Sequence, residues 1–440
     1  MQKFMEVLES KMAPLAMKLD SNRYITAIKD GFFGVMSLLI IGSFFLLLAN
    51  LPITGYPEFM ASLLGDNWKT YFTVPYDVTM NIMTIYVVIA MARSLANTYK
   101  LDSIMCITSV VVAFLLLTPT LEFKDGGFGI PTANLSASGL FLGMLTTILS
   151  VEIVRFVVKK GWTIKLPDSV PENVSRSFSA LIPGLFVIIV FNIIRILFSL
   201  TSFGTVQAFV FHYLQVPLLS LGDTLPAILI STIFEGTLWS FGIHGSNVIS
   251  GIMKPIWLTL TADNASAFAA GEALPHIINF QFYSNFIKVG GFGGTLGLAF
   301  LLLLRSKSSQ FKALGKLSIA PGFFGINEPI IFGIPIVLNP VLIIPFILTP
   351  LVLCVVAYFA MSSGLVPYTN GTNIPWTTPP VIAGFLVSGW KGALLNVVQI
   401  FISAAIYYPF FKSADRLAYK LEQQQQQQPE LQEKTTMSVS

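Results

Sequence analysis

The sequence predicts an all-α polytopic membrane protein of about ten crossings, and three observations carry that prediction. First, 54% of the 440 residues are hydrophobic and only 11% are charged. A soluble domain carries about 25% charged residues, so this surface is too apolar for water and must face lipid. Second, apolar runs of about twenty residues, the length of a helix across the hydrocarbon layer, recur along the chain. Third, basic residues gather in alternate connections between those runs, as in a chain threaded back and forth through a bilayer. The 33 Gly and 25 Pro agree, because membrane helices tolerate both where neighbours or wet cavities satisfy the freed backbone groups.

Taken in order, residues 1–20 mix both charge signs without a continuous apolar core. They are expected to form an amphipathic helix on the membrane surface, not a cleavable signal. Apolar segments follow near 31–51, 78–98, 104–118, 139–158 and 178–200. Further ones lie near 203–222, 224–245, 289–304, 336–360 and 381–411. Lys3, Lys11, Lys18, Arg23 and Lys29 precede the first span; Arg93 and Lys100 flank the second connection; Arg155, Lys159, Lys160, Lys165 and Arg176 flank the fourth. The first and third connections hold only Lys69 and Lys124. This alternation puts the amino terminus and the basic loops in the cytoplasm. About ten crossings then also turn Arg305, Lys307, Lys312 and Lys316 inward, with Lys412, Arg416 and Lys420, so that both termini are cytoplasmic.

The spans up to about residue 200 are regular, whereas later ones are interrupted at FEGTLWSFGIHGSN (234–247), PGFFGINEPIIFGIP (321–335) and VPYTNGTNIPWTTPP (366–380). Non-helical backbone at membrane depth survives only where protein covers it or a cavity wets it, and broken segments of this kind build transporter sites. Residues 1–200 therefore read as scaffold, 201–420 as the transport half, and 421–440 as a disordered glutamine-rich tail.

The interrupted segments hold the polar groups of interest. Glu328 is a carboxylate in an apolar string, read either as a cap on a half-helix beside Pro329 or as a ligand for a solute hydroxyl or proton. His244 is framed by glycines; its neutral ring can donate and accept at once, though a structural role is equally open. Trp239 and Trp376 can pack on the C–H face of a pyranose ring or sit in an interfacial belt. Asn247, Asn327, Asn370 and Asn373 supply amides suited to hydroxyls. Glu235 is either a second pocket carboxylate or a helix-end group. Arg195 reads as snorkelling to the interface, and Cys106 and Cys354 as small buried hydrophobes. Net charge is only +4, which marks no nucleic-acid partner, and no His/Cys/Glu spacing supports a metal or calls for a cofactor. The set points to a carbohydrate rather than an ion pathway.

FEGTLWSFGIHGSN and PGFFGINEPIIFGIPIVLNP, with LDSNRYITAIKDGF (19–32) and IPWTTPPVIAGFL (374–386), resemble the lactose/cellobiose/N,N'-diacetylchitobiose family of phosphotransferase-system IIC subunits. The likeness runs over about residues 1–420 and is nearest the diacetylchitobiose/cellobiose type. It implies a homodimer of ten-span protomers in the bacterial plasma membrane, joined through the amino-terminal half, with re-entrant hairpins holding the sugar. It implies that His244 and Glu328 bind the hydroxyl that becomes phosphorylated, and that Trp239 and Trp376 line the rings. Phosphoryl transfer would come from the phosphocysteine of a separate cytoplasmic IIB subunit, so the chain is not an enzyme on its own. A proton-coupled secondary sugar transporter is the alternative. A membrane enzyme acting on a lipid-linked sugar would need a nucleophile or metal set that the sequence lacks.

Overall fold

Several helices in this apolar chain start at a polar side chain that caps them. The computed structural model describes residues 18–19, 21–51, 55–123, 126–167, 169–334, 336 and 340–437, with side chains as far as residue 424. The expected surface helix at the amino terminus lies almost wholly outside the described residues. Helix α1 (Arg23–Ala49) opens at Asn22, whose Oδ1 accepts from the backbone N–H of Tyr24 and Ile25 at 3.0 and 3.2 Å. Short helices α2 (Tyr56–Leu64) and α3 (Thr70–Asp77) lead to α4 (Met83–Tyr99) and α5 (Ser103–Leu117), the latter capped by Asp102. A two-residue hairpin, β1 (Leu121–Glu122) with β2 (Phe128–Gly129), precedes α6 (Leu140–Lys159) and α7 (Glu172–Ser199). Phe32, Leu39, Met91, Phe114 and Leu142 close the seam between α1, α4, α5 and α6.

The chain then breaks repeatedly. Helices α8 (Val206–Gly222) and α9 (Leu225–Ser240) meet at a 75° bend. After α10 (Gly245–Ala270) comes α11 (Phe280–Phe282), continued by the π-helical turn Tyr283–Ile287. Next are α12 (Leu296–Arg305), α13 (Ser309–Phe323), α14 (Glu328–Gly333), α15 (Pro340–Ser362) and α16 (Pro380–Met437), the last interrupted at Ser388 and Gly389. Among the described residues, five helices are long and apolar enough to cross a membrane, or six if the bent pair is one span. Helices α5 and α12 are shorter apolar ones.

Two helices depart from the sequence expectation. No segment is assigned across 246–288, yet the 26-residue helix α10 lies there but for its first residue, Gly245. Lys254, Asp263 and Asn264 dilute its hydropathy, and it is held by burial against its neighbours. Helix α13 occupies what reads as a basic loop. The glutamine run expected to be disordered continues α16 as helix to Met437, consistent with the good helix propensity of Gln and Glu.

Candidate functional site

Three breaks in helical structure converge on one cavity of about 480 Å³, bordered on the far side by Phe33, Met36 and Ile40 of α1. The first break lies between α9 and α10. His244 caps α10 by accepting the backbone N–H of Asn247 on Nδ1 at 3.3 Å. In the neutral ring that choice puts the proton on Nε2, so His244 offers the cavity a donor. Its ring lies 4.3 Å from that of Trp239, tilted by 46°, and Trp239 Nε1 donates to Ser246 Oγ at 3.4 Å.

Glu235 stands behind this pair. It is 0% exposed and does not line the cavity. It accepts from the hydroxyls of Tyr283 and Ser246 and pairs with Lys288 Nζ at 2.8 Å. Lys288 also donates to Ser246 Oγ at 3.2 Å, and both reach the cavity wall. The expected second pocket carboxylate is thus the buried partner of a lysine that sequence reasoning did not single out.

The second break places Glu328. Gly291 turns with φ +93°, and a Cβ there would come within 2.5 Å of the Asn327 side chain. That close approach lets Asn327 Nδ2 donate to Phe292 O at 2.6 Å and Thr295 Oγ1 at 3.0 Å. Both amide hydrogens of Asn327 are thereby committed to the glycine-rich turn. Glu328 follows as the first residue of α14, exposed to the cavity, and its carboxylate makes no hydrogen bond with a described residue.

The third break, 366–379, carries Trp376, which is 55% exposed and lines the cavity. An amide satisfies the non-helical backbone near it, Asn264 Nδ2 donating to Thr369 O at 2.8 Å, and Asn370 Nδ2 ties the segment to α16 by donating to Leu386 O at 3.0 Å. Asn373 is 2% exposed, accepts from Gln281 Nε2 at 3.0 Å, and stands behind the cavity wall in this network. The structure therefore brings Trp239, His244, Asn247, Asn327, Glu328 and Trp376 to one cavity, and sets Glu235 and Asn373 behind it.

Sequence reasoning missed Ser246, Lys254, Tyr283 and Lys288. The two lysines carried the available signal, since a charge inside an apolar stretch marks a function by default.

His276 lies outside the cavity, in the loop after α10. Its Nδ1 is 2.7 Å from Asp223 Oδ2 and its Nε2 is 3.5 Å from Asp263 Oδ2. Burial alone would lower its pKa, but the two carboxylates outweigh burial and raise it to about 9.

A cavity with aromatic walls, a ring N–H donor and a carboxylate unpaired among the described residues, set among apolar helices, defines a membrane component that handles a polar solute. Residues 29–350 match the family described as Phosphotransferase system, EIIC, and the chain belongs to that family. It is 43% identical over 429 residues to the PTS system cellobiose-specific EIIC component of Geobacillus stearothermophilus, covering 94% of this chain and 95% of that one. It is 41% identical over 434 residues to the lichenan permease IIC component of Bacillus subtilis (strain 168), covering 96% of each. The crystal structure of ChbC, the IIC component from the N,N'-diacetylchitobiose-specific phosphotransferase system, superposes with a TM-score of 0.91 at 43% identity, covering 95% of this chain and 99% of that one. Components of this family are membrane transporters for sugars that work with IIB subunits, and the IIB domain does the phosphorylation.

Proposed function

We propose that this IIC component carries a β-linked disaccharide, N,N'-diacetylchitobiose or cellobiose, into the cytoplasm, where a separate phosphorylated IIB subunit modifies it on arrival. The observation that carries this reading is the meeting, in one cavity, of the closely packed Trp239–His244 pair with the carboxylate of Glu328, which has no hydrogen-bond partner among the described residues. A pyranose has C–H faces and a rim of hydroxyls. Trp239 and Trp376 suit the faces, while His244 Nε2–H and Glu328 suit one hydroxyl as donor and acceptor. In this arrangement Glu328, not His244, takes the hydroxyl proton as the oxygen bonds to phosphorus and the S–P bond of the phosphocysteine breaks. The likeness to cellobiose, lichenan and diacetylchitobiose components supports the β-linked class. Ten crossings, both termini cytoplasmic, and a homodimer joined through residues 1–200 belong to the same proposal.

Binding of radiolabelled diacetylchitobiose to purified protein, with cellobiose, lactose and maltose as competitors, tests it. Displacement by β-linked sugars but not maltose is expected. His244→Ala and Glu328→Ala should weaken binding about tenfold to a hundredfold, the range of a hydrogen bond to a charged group. A folded sample that binds no sugar overturns the reading. Sugar-driven proton uptake into vesicles lacking IIB would favour the proton-coupled alternative.

A further inference from the structure

Among the described residues, Lys254 is the cation on the cavity wall that lacks a carboxylate. It lies on α10, is 2% exposed, and makes no hydrogen bond or ion pair with any described residue. Its ammonium sits 3.9 Å from the ring centroid of Phe33 on α1 and 5.3 Å from that of Phe280, both of which also line the cavity. The rings soften the loss of water around the charge, but they fill none of its three N–H donors. A buried ammonium with open donors is costly to keep, and the cost makes sense if a ligand oxygen fills it.

Its place along α10 says which oxygen. His244, Asn247, Ser250 and Lys254 are spaced three, three and four residues apart and all line the cavity, so they share one face of the helix. At 1.5 Å per residue that row runs about 15 Å. With one ring held at His244 and Glu328, Lys254 stands beyond its reach, beside a second ring.

We propose that Lys254 is the recognition donor of a second sugar subsite, hydrogen-bonding an oxygen of the ring that is not phosphorylated. It thereby helps set the preference for a disaccharide. This rests on the function proposed above, and the experiment separates the two.

Full-length wild type, K254M and K254Q are compared for binding of cellobiose and its monodeoxy analogues, with thermal unfolding measured on the same samples. Methionine keeps the volume and removes the buried charge, so K254M should unfold no earlier than wild type while binding cellobiose about tenfold or more weakly. K254Q, which keeps an N–H donor, should recover part of that loss. One analogue lacking a hydroxyl on the unphosphorylated ring should bind less well to wild type yet suffer no further loss in K254M. Three outcomes overturn the proposal: K254M binding within twofold of wild type, earlier unfolding with equal losses on every analogue, or coupling to a hydroxyl of the phosphorylated ring. Wild type that binds no disaccharide overturns the parent function, and that result is read before any variant.

Discussion

Glu235 shows what one residue's surroundings decide. Fully buried itself, it accepts from Tyr283 and Ser246 and pairs with Lys288, which reaches the cavity wall. Removing one member of a buried pair strands the other, at about 3–5 kcal/mol, whereas replacing both by apolar groups of similar volume is often neutral. E235Q should therefore lower unfolding stability by that amount, and K288M similarly. E235L alone should lose at least as much as E235Q, and E235L combined with K288M should lose much less than the E235L and K288M losses added together. A double-mutant cycle in detergent checks this; strict additivity would mean the pair does not interact. The sequence marks Glu235 as an odd charge but not its role, because Lys288 comes to it through the packing of α9 against the π-helical turn after α11. Glu328 and His244 read more directly, since glycine and proline beside them announce a broken helix.

At the scale of elements, helices that are continuous and apolar, such as α1, α6 and α7, stand where the apolar runs put them. Helix α10 does not declare itself, because its polar residues serve the cavity and the loop clasp, and hydropathy counts them against a span. The clasp joins three elements. Asp223 at the α8–α9 bend and Asp263 of α10 hold His276, and Asp223 Oδ1 also accepts the backbone N–H of Ile278 at 3.2 Å. Because the folded pKa of His276 is raised to about 9 from an ordinary 6.5, its contribution is complete below about pH 6.5, where both folded and unfolded forms are protonated. Between pH 6.5 and 9 the unfolded form sheds its proton first, and the contribution drains away. The unfolding temperature of wild type should fall more steeply over that window than that of H276Q. Parallel slopes would show that the clasp does not hold the proton.

At the scale of the whole molecule, the basic-residue pattern makes a claim about sides that geometry can meet or refuse. Residues expected on one side gather in space. Arg23 reaches Tyr99 at 3.4 Å, Tyr99 bonds to Glu152, and Glu152 pairs with Arg155 at 3.0 Å, so the start of α1 and the ends of α4 and α6 lie together. In the other half, Asp415 accepts the backbone N–H of Lys307 and Ser308 at 3.0 Å, and Glu422 that of Ser309 and Gln310 at 3.0 Å. That ties the 415–422 stretch of α16 to the start of α13, whose first-turn N–H groups favour a carboxylate. Each cluster thus keeps to one face, and the topology proposed above, which rests on the positive-inside rule, would put both in the cytoplasm. Single cysteines at exposed Asp66, Lys160 and Lys312, in a chain lacking the buried Cys106 and Cys354, test the assignment with a membrane-impermeant maleimide. D66C should label in intact cells; K160C and K312C should label only after the membrane is opened. The reverse pattern inverts the protein. Labelling of the Lys160 and Lys312 positions from opposite sides would demand an odd number of crossings between them, whereas the proposed spans near 178–200, 203–222, 224–245 and 289–304 make four, so the crossings of the broken segments would have to be reassigned.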